Sequence, residues 1–181
     1  YGRNGESPLP VLSCHSPADC FEVGVEAVRI ALTYCTPVVV LSELYVANGS
    51  EPWQIPEVAS IKEIDVPFAD SSKDYMVYKR NPITLAREQA IPGQAGLEHR
   101  IGGLEKNENG DVSYDPDNHQ EMTRLRAAKV DRVAKSYPPT EIHGEPEADL
   151  LVLGWGGTFG AITSAVNTLQ AEGISVSSLH L

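Results

Sequence analysis

The sequence predicts an α/β fold built on parallel sheets, and three features predict it. A stretch of helical period lies between two short apolar runs near residues 11 and 37. The run at 37–41 is β-branched and apolar on both sides, the pattern of a strand covered on both faces. A second succession of strand, glycine turn and helix closes the chain.

The elements follow in order. Val11-Leu12-Ser13 is a short strand. Ser16 can cap a helix with Pro17 at its first position, and Asp19 places an acid where it favours a helix start. Phe21, Val25, Val28 and Leu32 recur at helical spacing, and Gly24, Ala27 and Ala31 beside them permit close approach to a sheet. The helix should stop near Cys35, and Pro37-Val38-Val39-Val40-Leu41 follows as the second strand of a right-handed β-α-β unit.

Between residues 48 and 147 proline, glycine and charge rise and periodicity weakens, which marks an irregular bridge with elements of its own. Asn48-Gly49 is a turn, residues 61–66 alternate like a half-buried strand, residues 91–103 form a glycine-interrupted loop, and residues 107–110 make a hairpin tip. Asp115-Pro116 starts a helix whose uneven apolar stripe is Met122, Leu125, Val133 and Tyr137, and Pro138-Pro139 ends it. Its other face, with Arg124, Arg126, Arg132 and Lys135, is expected to be solvated.

The last segment holds a buried-type strand at 149–153, a glycine turn at 154–157, Thr158 as a cap, a helix at 161–172 bearing Ile162, Val166 and Leu169, a stop at Gly173, and a further strand from Ile174. Two strands cannot cover themselves. With Tyr1 at the start in place of methionine, this pattern is expected of a segment cut from a longer polypeptide.

Charge and composition exclude several classes. Among 181 residues, 25 acidic against 14 basic side chains give a net charge of -11, which disfavours nucleic acid and anionic membrane surfaces as partners. The longest apolar run, residues 37–41, is far short of the ~18–20 residues that cross a bilayer, so the reading is a soluble, cytoplasmic protein. Cys14, Cys20 and Cys35 fit neither a disulfide framework, a Cys-x-x-Cys zinc site nor an iron-sulfur cluster, and read as thiols packed in a reducing compartment.

Few motifs carry chemistry. Gly154-Trp155-Gly156-Gly157-Thr158-Phe159-Gly160 lies where a dinucleotide fingerprint would lie. However, Phe159 occupies the third glycine position and no ribose-binding acid follows, so a turn for tight packing is favoured over a phosphate cradle. His99-Arg100, flanked by Gly96 and Gly102-Gly103, sets a titratable ring beside a cation in a loop, an arrangement suited to binding carboxylates or moving protons. A surface histidine paired with Glu98 or Glu105 is the plainer alternative. Asn48 and Glu51 follow the carboxyl end of a strand, the edge where open α/β sheets bind ligands. No Gly-x-Ser-x-Gly elbow and no His-Glu-x-x-His occurs. Residue types alone leave open a nucleotide- or coenzyme-A-binding module using the 154–160 turn, or a subunit-interface piece without catalysis.

Longer motifs narrow this. Tyr1-Gly2-Arg3-Asn4-Gly5-Glu6, Ser16-Pro17-Ala18-Asp19-Cys20-Phe21, Ala47-Asn48-Gly49-Ser50-Glu51-Pro52-Trp53, and Gly96-Leu97-Glu98-His99-Arg100-Ile101-Gly102-Gly103-Leu104-Glu105 resemble, in order, the alpha subunit of 2-oxoacid:ferredoxin oxidoreductases, nearest the 2-oxoglutarate type. The segments at 109–119 and 153–162 continue the likeness, so it covers essentially the whole chain. The resemblance implies oxidative decarboxylation of a 2-oxoacid with thiamine diphosphate and Mg2+, electrons passing through iron-sulfur clusters to ferredoxin, and the acyl group passing to coenzyme A. It implies that residues 1–57 end a pyrimidine-type thiamine-diphosphate domain with a parallel sheet, 58–145 form an irregular linker, and 146–181 start a transketolase C-terminal-like α/β domain. It further implies that the glutamate activating the cofactor, and the arginine and threonine gripping the substrate, lie upstream of Tyr1. The Gly-Asp-Gly diphosphate and metal motif belongs to the partner beta subunit, and Asn109-Gly110-Asp111-Val112 is no substitute for it. On this likeness the chain alone binds no cofactor and is inert, and His99 and Arg100, then Asn48 and Glu51, are its candidates for contact with substrate or partner.

Overall fold

The computed structural model describes residues 6–70 and 74–181; Tyr1-Gly2-Arg3-Asn4-Gly5 of the first motif lies outside the described residues. The chain divides into two compact units. One comprises the described parts of Tyr1–Pro10, Val28–Val38 and Ile61–Tyr137, the other Val11–Ala27, Val39–Ser60 and Pro138–Leu181.

In the second unit β1 (Val11–Ser13) and β2 (Val39–Leu41) pair in parallel, Val11 opposite Val39 and Ser13 opposite Leu41. They are joined through α1 (Asp19–Tyr34), the β-α-β connection that the apolar periodicity predicts. The Asp19 amide, the first of α1, donates to Ser16 Oγ at 3.3 Å, while Pro17 lies in the turn just before the helix instead of at its first position. A short helix α2 (Leu44–Asn48) follows, capped by Glu43, whose carboxylate accepts from the Tyr45 and Val46 amides at 2.7 and 2.8 Å.

A separate sheet has the order β3-β5-β4, from β3 (Ile142–His143), β4 (Leu150–Gly154) and β5 (Val176–His180). The β4-β5 pair is parallel and connected by α4 (Phe159–Ala171), while β3 lies antiparallel on the other edge of β5. Its three strands correct the two-strand expectation. The signal of β3 is hidden because it is two residues long and sits in a proline-rich stretch. Thr158 also departs from expectation: its hydroxyl donates to the Trp155 carbonyl and makes no side-chain cap bond to α4. Gly173, at φ +81, stops α4 as read, its amide donating to the Gln170 carbonyl.

The central strands are less covered than their sequence suggests. Val39, Val40 and Leu41 are 40%, 41% and 38% exposed, and Leu153 on the edge strand β4 is 63% exposed. Val39 and Leu41 point to one face of the sheet and Val40 to the other, so the β-branched run that reads as doubly covered leaves both faces of this two-stranded sheet partly open. The middle strand β5 is buried instead, with Val176 and Ser177 each 1% exposed and Ser177 Oγ donating to the Glu145 carbonyl at 2.6 Å.

The first unit is organised around the last turns of α1 and the long helix α3 (Pro116–Lys135). Ile30, fully buried, Tyr34, Met122 and Val133 join Val77, Ala86 and Leu97 in its core. Asp115 caps α3 by accepting from the Asp117 amide at 2.8 Å, with Pro116 at the first position, as the sequence predicts. Cys35 ends α1 at φ +47, and the Thr36 amide reaches back to the Ala31 carbonyl at 3.3 Å, the reversed turn that glycine usually makes.

Two expectations fail in this unit. Residues 61–66 form no strand: Asp65 gives its carbonyl to the Thr33 hydroxyl, and Pro67 brings no amide donor. The basic face of α3 is not simply solvated, since Arg132 donates to the Pro82 and Ile83 carbonyls and Arg126 to Glu105 Oε2 at 2.7 Å. Guanidinium groups here tie the loop at 80–86 and Glu105 to α3. The hairpin tip is present as a bridge between Lys106 and Val112, with Gly110 at φ +98.

Candidate functional site

In the second unit the carboxyl ends of β1, β2 and β4 lead into one cleft of about 1080 Å³. His15 and Ser16 come from the end of β1, Asn48 and Glu51 from the turn after α2, and Gly157 and Phe159 from the start of α4. This is the edge where loops of open α/β sheets gather ligand-binding groups.

The polar groups are held by one another. Glu51 Oε1 accepts from the Ser16 hydroxyl and from the Ala18 amide. Those two donors, the Ser16 hydroxyl first, hold the Glu51 carboxyl below its ordinary range and keep it ionised. Asn48 Nδ2 donates to the Leu44 carbonyl at 2.9 Å and closes α2. His15 Nδ1 stands 2.8 Å from Asp19 Oδ2, which also accepts the His15 amide at 3.0 Å. The ring meets Phe159 edge-on, with centroids 4.9 Å apart, and Phe159 in turn meets His180 at 5.1 Å. The result is an ionised carboxylate and an oriented imidazole beside an aromatic wall.

The glycine turn supports this wall by tight packing. A methyl group on Gly154 would overlap Ile162 Cδ1 well inside 3.0 Å, and one on Gly157 would overlap Glu43 Oε1 in the same way. Because the Glu43 carboxylate lies against the turn, that surface repels an anion. The geometry favours the packing role over a phosphate cradle.

Of the four residues singled out in the sequence, Asn48 and Glu51 line this cleft together, and His99 and Arg100 lie in the other unit. His99 Nδ1 is 2.7 Å from the Leu97 carbonyl, and its ring sits 5.5 Å from that of Tyr75. A carbonyl only accepts, so Nδ1 carries the hydrogen of this bond. Glu105 does not pair with His99: it accepts from Arg126 and lies 2.8 Å from His119 Nδ1. Burial pushes the Glu105 carboxyl up, but the hydrogen bonds from Arg126 and His119 outweigh it and hold it below its usual range. Arg100 is exposed.

Reading the residues in order misses His15, Phe159 and His180, because they converge only when the ends of three strands meet. The one local signal is the spacing of His15 and Asp19, four residues apart across a helix cap. Among the described residues, no group of three or more His, Cys, Asp or Glu side chains is placed to hold a metal ion.

Comparison with known proteins places these features in a lineage. Residues 3–115 match the family model described as pyruvate flavodoxin/ferredoxin oxidoreductase, thiamine diphosphate-binding. The whole chain is 50% identical to the 2-oxoglutarate oxidoreductase subunit KorA of Mycobacterium tuberculosis, covering 28% of that protein. It is 28% identical to the 2-oxoglutarate synthase subunit KorA of Archaeoglobus fulgidus, covering 44% of it. The solved 2-oxoglutarate:ferredoxin oxidoreductase from Magnetococcus marinus, with 2-oxoglutarate, coenzyme A and succinyl-CoA bound, superposes with a TM-score of 0.87. The identity to it is 32%, over 98% of this chain and 31% of that one. The chain thus spans less than half the length of these relatives.

Proposed function

Because this chain belongs to the pyruvate flavodoxin/ferredoxin oxidoreductase family, through its thiamine-diphosphate-binding domain, we propose that it is a segment of the alpha subunit of a 2-oxoglutarate:ferredoxin oxidoreductase. The enzyme decarboxylates 2-oxoglutarate oxidatively, passes the acyl group to coenzyme A and passes electrons to ferredoxin. The observation that carries this reading is the 50% identity, over the entire chain, to a 2-oxoglutarate oxidoreductase subunit. Residues 1–57 are assigned to the end of the pyrimidine-type domain, 58–145 to the linker, and 146–181 to the start of the transketolase C-terminal-like domain.

The cleft of the second unit does not fit the cofactor's diphosphate. The cleft of the second unit offers Glu51 and His15 and no lysine or arginine among its described lining, Glu43 faces the glycine turn, and no metal-ligating cluster is present among the described residues. An anionic diphosphate and its Mg2+ need cations or convergent oxygen ligands. Together with the family likeness, which puts the Gly-Asp-Gly diphosphate and metal motif in the beta subunit, this leads us to assign the binding of the cofactor's diphosphate and Mg2+, and of the iron-sulfur clusters, to parts of the assembly outside this cleft, the beta subunit included. What this chain contributes is orientation and electrostatics around a cofactor held elsewhere.

His99 and Arg100 are assigned to the substrate channel or to the face meeting the beta subunit, where an exposed guanidinium attracts an acid carrying two carboxylates. Asn48 and Glu51 shape the cleft beside α2. The assembly is assigned to the cytoplasm; no helix among the described residues is long and apolar enough to cross a membrane.

The test compares the complete complex with the 181-residue polypeptide in dye reduction driven by 2-oxoglutarate, thiamine diphosphate and coenzyme A. Turnover by the complex and none by the isolated polypeptide supports the proposal. Turnover by the polypeptide alone, or none by the complex, contradicts it.

A further inference from the structure

The first unit contains a cavity of about 450 Å³ whose charge is opposite to that of the chain as a whole. Its wall includes Arg80, Arg87, Lys106, Arg126 and Lys129, and a single carboxylate, Glu105, among the described residues lining it. Glu105 is already committed to Arg126 and His119, so it neutralises only part of this charge.

The cations are drawn together by the fold. Lys106 is 4% exposed, and its ammonium donates to the Leu104 and Gly102 carbonyls at 2.7 and 3.3 Å, both of them neutral partners. Arg80 is anchored through the Leu85 carbonyl at 3.0 Å and Met122 Sδ at 3.8 Å. Burial first, and the neighbouring Arg126 guanidinium second, pull the Arg80 guanidinium below its ordinary range. Three of the residues lining the cavity each carry a buried polar atom, Arg80 Nε, Arg126 Nε and Thr36 Oγ1, with no hydrogen-bond partner among the described residues. Buried donors are ordinarily satisfied, and like charges are held close when something of opposite sign sits between them.

We propose that this cavity binds a small dianionic oxyanion, either a phosphoryl group or a dicarboxylate. Guanidinium forks suit both, because each presents paired oxygens that accept parallel N–H bonds. The site is separate from the glycine turn of the other unit, where a carboxylate already faces the backbone.

The test titrates inorganic phosphate and, separately, succinate into the complete complex by calorimetry at constant ionic strength, with chloride as the monoanion control. Saturable binding of at least one dianion is expected, weakened tenfold or more by Arg87→Gln and by Arg80→Gln. Preference for phosphate identifies a phosphoryl ligand, and preference for succinate a dicarboxylate. Arg87 keeps the test valid if Arg80→Gln misfolds, because the bond its guanidinium makes to the Glu88 carbonyl is exposed. Absence of saturable binding by either dianion, or binding untouched by Arg87→Gln, overturns the proposal.

Discussion

Replacing Gly154 by alanine probes whether the glycine turn exists for packing. The new methyl would overlap Ile162 Cδ1 well inside 3.0 Å and lie 3.2 Å from both His180 Nδ1 and Thr158 Oγ1. Carbon atoms rest about 3.5–4.0 Å apart, so Ile162 must leave its position. Cδ1 is the far end of a flexible, half-buried side chain that can swing away, so the cost falls at the low end of the overpacking range, about 1 kcal/mol. Ile162→Val alone, which removes that same Cδ1, costs about 0.5–1.5 kcal/mol. In the double variant the main overlap is gone, so its cost should fall below the sum of the two by most of the overpacking cost, about 0.7 kcal/mol or more. Unfolding of a large multidomain subunit is not two-state, so the free energies are best read from amide hydrogen exchange of β4 and α4 in the complete protein. Additive costs, within about 0.5 kcal/mol, or an alanine variant indistinguishable from the parent, would refute the packing argument.

Other consequences are equally direct. Cys35 makes the reversed turn at the end of α1 with a side chain, so Cys35→Gly should stabilise that helix end by about 1 kcal/mol, read as slower exchange of the Thr36 amide; faster exchange contradicts it. The folded Glu51 carboxyl titrates below its unfolded value, so its contribution is present above the ordinary carboxylate range and is lost as pH falls through the lowered pKa. Exchange at the Ala18 amide should therefore rise in acid, and Glu51→Gln should abolish that acid transition. Arg132→Ala removes two donations to the Pro82 and Ile83 carbonyls and should open the loop at 80–86 to proteolysis, at a cost of about 1 kcal/mol. Arg100→Ala in the intact complex should raise KM for 2-oxoglutarate, and an unchanged KM removes the residue from the substrate path.

Local rules carried the sequence as far as single elements. Ser16, Asp115-Pro116, Gly110 and Gly173 sit where capping and turn chemistry place them, because those preferences depend on a few neighbouring backbone groups. Strand partners do not. The alternation at residues 61–66 met no neighbouring strand, and β3 is too short to announce itself, since its pairing with β5 depends on Leu179 and Ser178 some 35 residues later. The exposed Leu153 shows the same limit from the other side: an apolar run reports that a face wants cover without reporting what provides it. In the cleft, Asn48 and Glu51 were legible from their position after a strand, whereas His15, Phe159 and His180 became a group only once the strand ends converged. The cations around Lys106 were hidden for the same reason, being spread over fifty residues in a chain of negative charge.

Substrate discrimination by the complete complex tests the central claim most directly. With coenzyme A and ferredoxin present, kcat/KM measured for 2-oxoglutarate and for pyruvate should favour 2-oxoglutarate by at least tenfold, with succinyl-CoA formed as ferredoxin is reduced. Preference for pyruvate, or ferredoxin reduction without succinyl-CoA, would contradict the assignment of this chain to a 2-oxoglutarate enzyme.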